Sequence, residues 1–201
     1  MIDFYFYPTS PPCRAIILTA RTIGLDMNYK ELPVLTMEHI TPELLKFVYS
    51  RPMMAYLMEK YGKDDSLYPK DLKKRAVINQ RLFFDAIYLY PAFVDYFLNR
   101  TDERDEKVDN ALELLNTFLE GQDHVAGKNL TIADFSIVVT INMIEVLDYS
   151  LSGYKNIIKW LTEIKSEIPK YEEIECEPLK IIKRRAYGGF LDETNRLKNA
   201  T

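Results

Sequence analysis

The sequence predicts an α/β unit with a small parallel sheet, followed by an all-α helical domain. Three observations carry this. Ile2 to Leu32 reads strand, helix, strand; Gly62 to Asp71 is polar and punctuated by Gly and Pro; and beyond it apolar residues recur at helical spacing. The expected division is residues 1–62 for the first domain, 63–71 for the linker and 72–201 for the helical domain.

Ile2 to Tyr7, rich in aromatics, reads as a buried strand. Cys13 to Ile23 is good helix material closed by Gly24, and Met27 to Leu32 alternates apolar with polar residues as a second strand. A strand, helix and strand within about thirty residues form a βαβ unit, whose strands run parallel. Thr41-Pro42-Glu43 has the form of a helix start, with Thr41 as cap and Pro42 in the first turn. A further helix is expected from about Pro52 to Tyr61, stopping at Gly62.

Past the linker, three apolar series have helical spacing: Ala76, Phe83, Ile87 and Tyr90; Val108, Leu112, Leu115 and Leu119; Ile157, Trp160, Ile164 and Ile168. Ile132 to Leu147 is apolar on nearly every side, which for a helix means burial all round. The second domain is therefore expected to pack about this helix. Thr131-Ile132-Ala133-Asp134 opens it as a short capping box, in which Asp134 reaches back to the N–H of Thr131.

Composition narrows the partners. The 201 residues are 47% hydrophobic and carry a net charge of −4 from 26 basic and 30 acidic side chains, which are interspersed. No single-sign surface recommends nucleic acid or an anionic membrane, and Lys73-Lys74-Arg75 and Lys183-Arg184-Arg185 read as solvated helix faces. No apolar run approaches the ~20 residues that cross a bilayer. Asp3 stands where a signal peptide would be basic, and the two cysteines, Cys13 and Cys176, have no metal-type spacing. A cytoplasmic protein is expected. With only His39 and His124 as histidines, neither a metal site nor a Ser-His-Asp arrangement can be argued.

The chemistry is expected at Ser10, where the first strand hands over to the first helix. Ser10 and Cys13 are spaced as Ser-x-x-Cys, a redox dithiol with its first cysteine replaced by a hydroxyl. One serine cannot perform dithiol exchange. At a helix N-terminus its hydroxyl can either cap the helix or donate to a bound thiolate, whose pKa it would lower together with the helix dipole. Cys13 competes for the role, although Ile16 and Ile17 suggest that its helix packs inward.

Several longer motifs then point one way. Tyr7-Pro8-Thr9-Ser10-Pro11-Pro12-Cys13-Arg14, Met37-Glu38-His39-Ile40-Thr41-Pro42-Glu43, Ser50-Arg51, Tyr61 to Pro69, Arg75 to Leu82, and Phe118 to Asp123 with Leu130 to Asp134 resemble insect cytosolic glutathione transferases of the delta/epsilon type. The similarity extends over nearly the whole chain. It implies a thioredoxin-like N-terminal domain that holds glutathione as co-substrate, an all-α domain that lines a pocket for small apolar electrophiles, a homodimer, and a role in detoxification without a metal. By position, Ser10 matches the serine that stabilises the glutathione thiolate and His39 a histidine beside the peptide. Ser50 and Arg51 match the end of a Glu-Ser-Arg motif that receives the γ-glutamyl carboxylate. Tyr90, Phe93 and Leu98 fall in the apolar wall for the second substrate; each could equally belong to the interdomain core.

The sequence departs from this pattern between Lys46 and Ser50, where only Phe47, Val48 and Tyr49 stand. Two strands of ~5 residues with their turn, and the cis-proline segment before them, cannot fit there. Tyr49 also replaces the acidic residue before Ser50, and Pro52 follows Arg51. The sheet is therefore expected to be truncated to a parallel pair, with part of the backbone clamp on glutathione gone. Two readings follow: a glutathione transferase, or a catalytically impaired paralogue or splice variant acting as a ligand-binding or dimer-partner module.

Overall fold

A computed structural model describes residues 1–32, 50–98 and 102–187. His39, the helix start at Thr41 and the shortened join after Lys46 lie outside the described residues. The N-terminal elements are β1 (Ile2–Phe6), α1 (Pro11–Thr22), β2 (Met27–Glu31) and α2 (Ser50–Tyr61). The two strands pair in parallel, Ile2 with Met27 through Phe6 with Glu31, and form the two-stranded sheet of the described residues. β1 is covered on one face only: Phe4 is buried, stacks with Phe6 and meets Tyr29 edge to face, whereas Tyr5 is exposed. The expectation of a buried strand from Ile2 to Tyr7 is corrected accordingly: the strand is Ile2–Phe6 and only half-covered.

α1 starts two residues earlier than its apolar pattern suggests, because prolines fit the first helical turn. It ends at Gly24, whose φ of +70° places it in the left-handed region. There the N–H groups of Gly24 and Leu25 cap the carbonyls of Arg21 and Ala20. α2 ends at Gly62, where a β-carbon would lie 2.5 Å from the Met58 carbonyl.

The remaining elements are helices: α3 (Leu72–Phe84), a π-helical turn (Asp85–Leu89), α4 (Tyr90–Leu98), α5 (Asp102–Phe118), α6 (Ile132–Val146), α7 (Lys155–Glu167) and α8 (Tyr171–Tyr187). α3, the π turn and α4 are continuous. The widened turn has a local cause in Pro91, which lacks an N–H and cannot bond the Ile87 carbonyl.

α6 is the centre of the molecule, buried at every position from Ile132 to Ile144. Val108, Leu112, Leu115 and Leu119 of the α5 region and Ile157, Trp160, Ile164 and Ile168 of the α7 region are all buried, as their spacing predicts. The Ala76, Phe83, Ile87 series is a different case. These residues are exposed, Phe83 by 66% and Ile87 by 72%, and the core face of the same helix is formed by Ile78, Leu82 and Leu89. Helical periodicity locates an apolar face without saying what covers it.

Candidate functional site

α1 presents two stripes to the rest of the protein. Pro11, Pro12 and Ala15 face Ser50 and Arg51 of α2, Tyr90 of α4, and Ser136, Val139 and Thr140 of α6, around a narrow gap with no room for a water. Arg14, Ile17 and Arg21, at i, i+3 and i+7, face the sheet and α8.

Ser10 is the N-cap of α1, half-buried, and its Oγ accepts from the Cys13 N–H at 3.4 Å. The Arg14 N–H bonds the Ser10 carbonyl at 3.1 Å, and Pro11 and Pro12 have no N–H. The backbone donors of the first turn are thus absent or committed. Capping engages a lone pair of the hydroxyl, so its own proton stays free to be donated. The N-terminal end of the helix dipole adds a field favourable to an anion at the same place. Cys13 is half-buried and packs against the core.

Ser50 is the first residue of α2 and only 4% exposed. Arg51 points to the π turn, where its Nη2 pairs with Asp85 Oδ2 at 2.6 Å. Asp85 is fully buried and also accepts from the hydroxyls of Ser136 and, at 2.9 Å, Thr140. Burial pushes the Asp85 carboxyl above its ordinary range, while Arg51 and the two hydroxyls pull it back. The guanidinium of Arg51 also lies 6.0 Å from the centroid of the Tyr90 ring, and its Nε has no hydrogen-bond partner among the described residues.

Tyr90 is half-buried, and its ring lies 6.0 Å from that of Phe93, which is 3% exposed. Leu98 ends α4 and is 58% exposed. The structure therefore gathers Ser50, Arg51 and Tyr90 beside the first turn of α1 that Ser10 caps, with Phe93 next to Tyr90 and Leu98 two turns on. Asp85, Ser136 and Thr140 escaped the sequence reading. A carboxylate inside the apolar run Phe83 to Leu89 was the available signal.

A second buried polar group lies on the other side of α1. Arg14 pairs with Glu175 of α8 at 2.8 Å, and Asn142 of α6 donates to Glu175 at 2.7 Å and to the Tyr171 hydroxyl. Burial drives the Glu175 carboxyl up and the Arg14 guanidinium down, each opposed by the other's charge.

Residues 86–167 match the family described as glutathione S-transferase, C-terminal domain. Among solved structures, a Nilaparvata lugens delta-class glutathione transferase is similar with a TM-score of 0.87 and 39% identity, covering 94% of this chain and 99% of the other. A Bombyx mori glutathione transferase gives 0.83 and 39%, covering 90% and 95%. An epsilon-class glutathione S-transferase from the housefly, Musca domestica, gives 0.82 and 31%, covering 94% and 98%. With this similarity extending over nearly its full length, the chain belongs to the glutathione S-transferase family, among relatives of the insect delta and epsilon classes.

Proposed function

We propose that this protein conjugates glutathione to small apolar electrophiles, with Ser10 as the residue that stabilises the glutathione thiolate. The observation that supports this most is the state of the Ser10 hydroxyl. It sits at the mouth of α1, half-exposed, with a proton to donate and no competing backbone donor in the first turn. A hydroxyl bonded to sulfur lowers the thiol's pKa from ~8.5 and raises the nucleophilic fraction at neutral pH. The sulfur lone pair then attacks the electrophilic carbon, and the leaving group departs with its bonding electrons.

In this reading residues 1–62 hold glutathione, 63–71 link the domains and 72–201 supply the electrophile wall. His39 lies beside the peptide, and Ser50 and Arg51 at the start of α2 take the γ-glutamyl carboxylate, as a helix N-terminus favours. The Arg51–Asp85 pair holds that corner in place. Tyr90, Phe93 and Leu98 contact the apolar electrophile. The same reading makes the protein a cytoplasmic detoxification enzyme; among the described residues no helix is long and apolar enough to cross a membrane.

The active form is a homodimer. Phe83, Ile87 and Tyr88 leave an exposed apolar ridge on α3 and the π turn. Beside it lies a groove of about 540 Å³ lined by Pro52 and Ala55 of α2, Tyr68, and Leu82 of α3. A second copy related by a twofold axis would cover both.

The test is conjugation of glutathione to a chromogenic aryl halide, run beside retention on immobilised glutathione. Retention and turnover, with turnover lost in Ser10→Ala, are expected. A folded dimer with neither would refute catalysis and leave a binding module.

A further inference from the structure

The C-terminal half of α2 carries a cluster that glutathione chemistry does not use: Tyr56, Lys60 and Tyr61, at i, i+4 and i+5. We propose that Tyr56 is a nucleophile for hard electrophiles, the acyl, sulfonyl and phosphoryl donors, and takes one of them covalently per chain. Such compact, poorly polarisable centres are attacked by an oxygen anion in preference to a soft thiolate.

The cluster is built around one phenol oxygen. Tyr56 is 52% exposed, so a reagent can reach its hydroxyl. Tyr61 is half-buried and packs against the core, and its ring stands perpendicular to that of Tyr56 at 6.3 Å. The Lys60 Nζ lies 5.4 Å from the Tyr56 ring centroid and 5.6 Å from that of Tyr61. Lys60 is hydrogen-bonded to the Tyr56 oxygen, with Tyr61 as a weaker second partner. The Lys60 bond and then its charge hold this phenol below its ordinary value of 10.0.

Lys60 has no competing anion. Its neighbour Glu59 is paired with Arg75 at 2.7 Å, and among the described residues no carboxylate pairs with Lys60. Tyr5 supplies the contrast. It is equally exposed, at 52%, and has Lys30 at 5.3 Å from its ring centroid, but that ammonium is bound to Asp3 at 2.8 Å. Burial pushes Tyr29, Tyr90 and Tyr171 the other way, towards the unreactive phenol. A cation committed to a phenol oxygen instead of a carboxylate favours phenolate, the form that attacks.

The step balances without a further reactant. An electron pair of the Tyr56 oxygen forms the new bond to sulfur, phosphorus or the acyl carbon. The leaving group departs with its bonding electrons, and the phenol proton passes to solvent.

The test is labelling of the full chain with benzenesulfonyl fluoride near neutral pH, read by peptide mass spectrometry. A sulfonate ester on Tyr56, with fluoride released, is expected to form at least about fivefold faster than one on Tyr5, since the rate follows the phenolate fraction. Lys60→Met should bring that ratio down to about one, and Lys60→Arg, which keeps a donor cation, should hold most of it. Lys60 is exposed, so both variants are expected to fold, and a ratio taken within one molecule cancels any change in overall stability. Equal rates at Tyr56 and Tyr5, first reaction at a serine or lysine, an unchanged ratio in Lys60→Met, or no adduct at all would each overturn the proposal. Labelling uses no glutathione, so its outcome is separate from that of the conjugation assay.

Discussion

Arg51, the second residue of α2, and Asp85, the first of the π turn, form an ion pair of 2.6 Å across the boundary between the N-terminal unit and the helical body. The carboxylate is wholly buried and reaches Ser136 and Thr140 of the central helix as well. One acidic side chain of the π turn thus ties α2 to the central helix, and both of these flank the first turn of α1.

Removing one member of such a pair strands the other. Asp85→Ala is expected to destabilise the protein by about 3–5 kcal/mol, measured by urea denaturation. Replacing both partners, as Arg51→Met with Asp85→Leu, should recover much of that loss, since no uncompensated charge remains. A single variant as stable as the parent would mean that the pair is not formed in solution.

Asp134 makes a corresponding set of buried bonds at the start of the same central helix. Buried at the third position of α6, it accepts from the N–H and hydroxyl of Thr131, from the Val125 N–H at 2.9 Å and from Trp160 Nε1 at 3.1 Å. Asp134→Ala leaves several buried donors without an acceptor. The expected loss exceeds that of an ordinary cap, about 3 kcal/mol or more against ~1. Thr131→Ala, which keeps the carboxylate, should cost about 1 kcal/mol in the same measurement.

What could be read from the sequence follows from the range of the interactions. The parallel pair, α1 with its serine cap and glycine stop, the all-buried α6 and its Thr131–Asp134 box are local patterns, and the structure has them. The Arg51–Asp85 and Arg14–Glu175 pairs join residues 34 and 161 positions apart, and no local pattern announces them. The outward turn of Phe83 and Ile87 was hidden for a different reason. An apolar stripe reads the same whether a neighbouring helix or another molecule covers it.

That stripe gives a prediction about assembly. Analytical ultracentrifugation should show a dimer for the parent and a monomer for Ile87→Glu, which sets two like charges into the twofold contact. The variant should keep its helical content, because Ile87 is 72% exposed and adds little to the core. A dimer that survives the substitution would place the interface elsewhere.

Alkaline stability follows from a tyrosine pair. Tyr149 and Tyr154 both donate to Asp109, at 2.8 and 2.7 Å, and burial together with this carboxylate pushes both phenols above their ordinary value of 10.0. As pH rises past 10, the unfolded chain loses these protons first, so it binds fewer than the native state and stability falls. The contribution is complete below pH 10 and declines above it. A double Tyr149→Phe, Tyr154→Phe variant should show a shallower decline in melting temperature through that range; an unchanged slope would rule the pair out as its source.

The Ser10 hydroxyl is proposed to hold the glutathione thiolate. The most direct test is the pH at which the thiol of bound glutathione ionises, followed by ultraviolet thiolate absorbance in the parent and in Ser10→Ala. The parent should ionise it well below the free value of ~8.5, and the variant should return it close to that value. A bound thiol that ionises like free glutathione in the parent, or equally low in both proteins, would contradict the assignment.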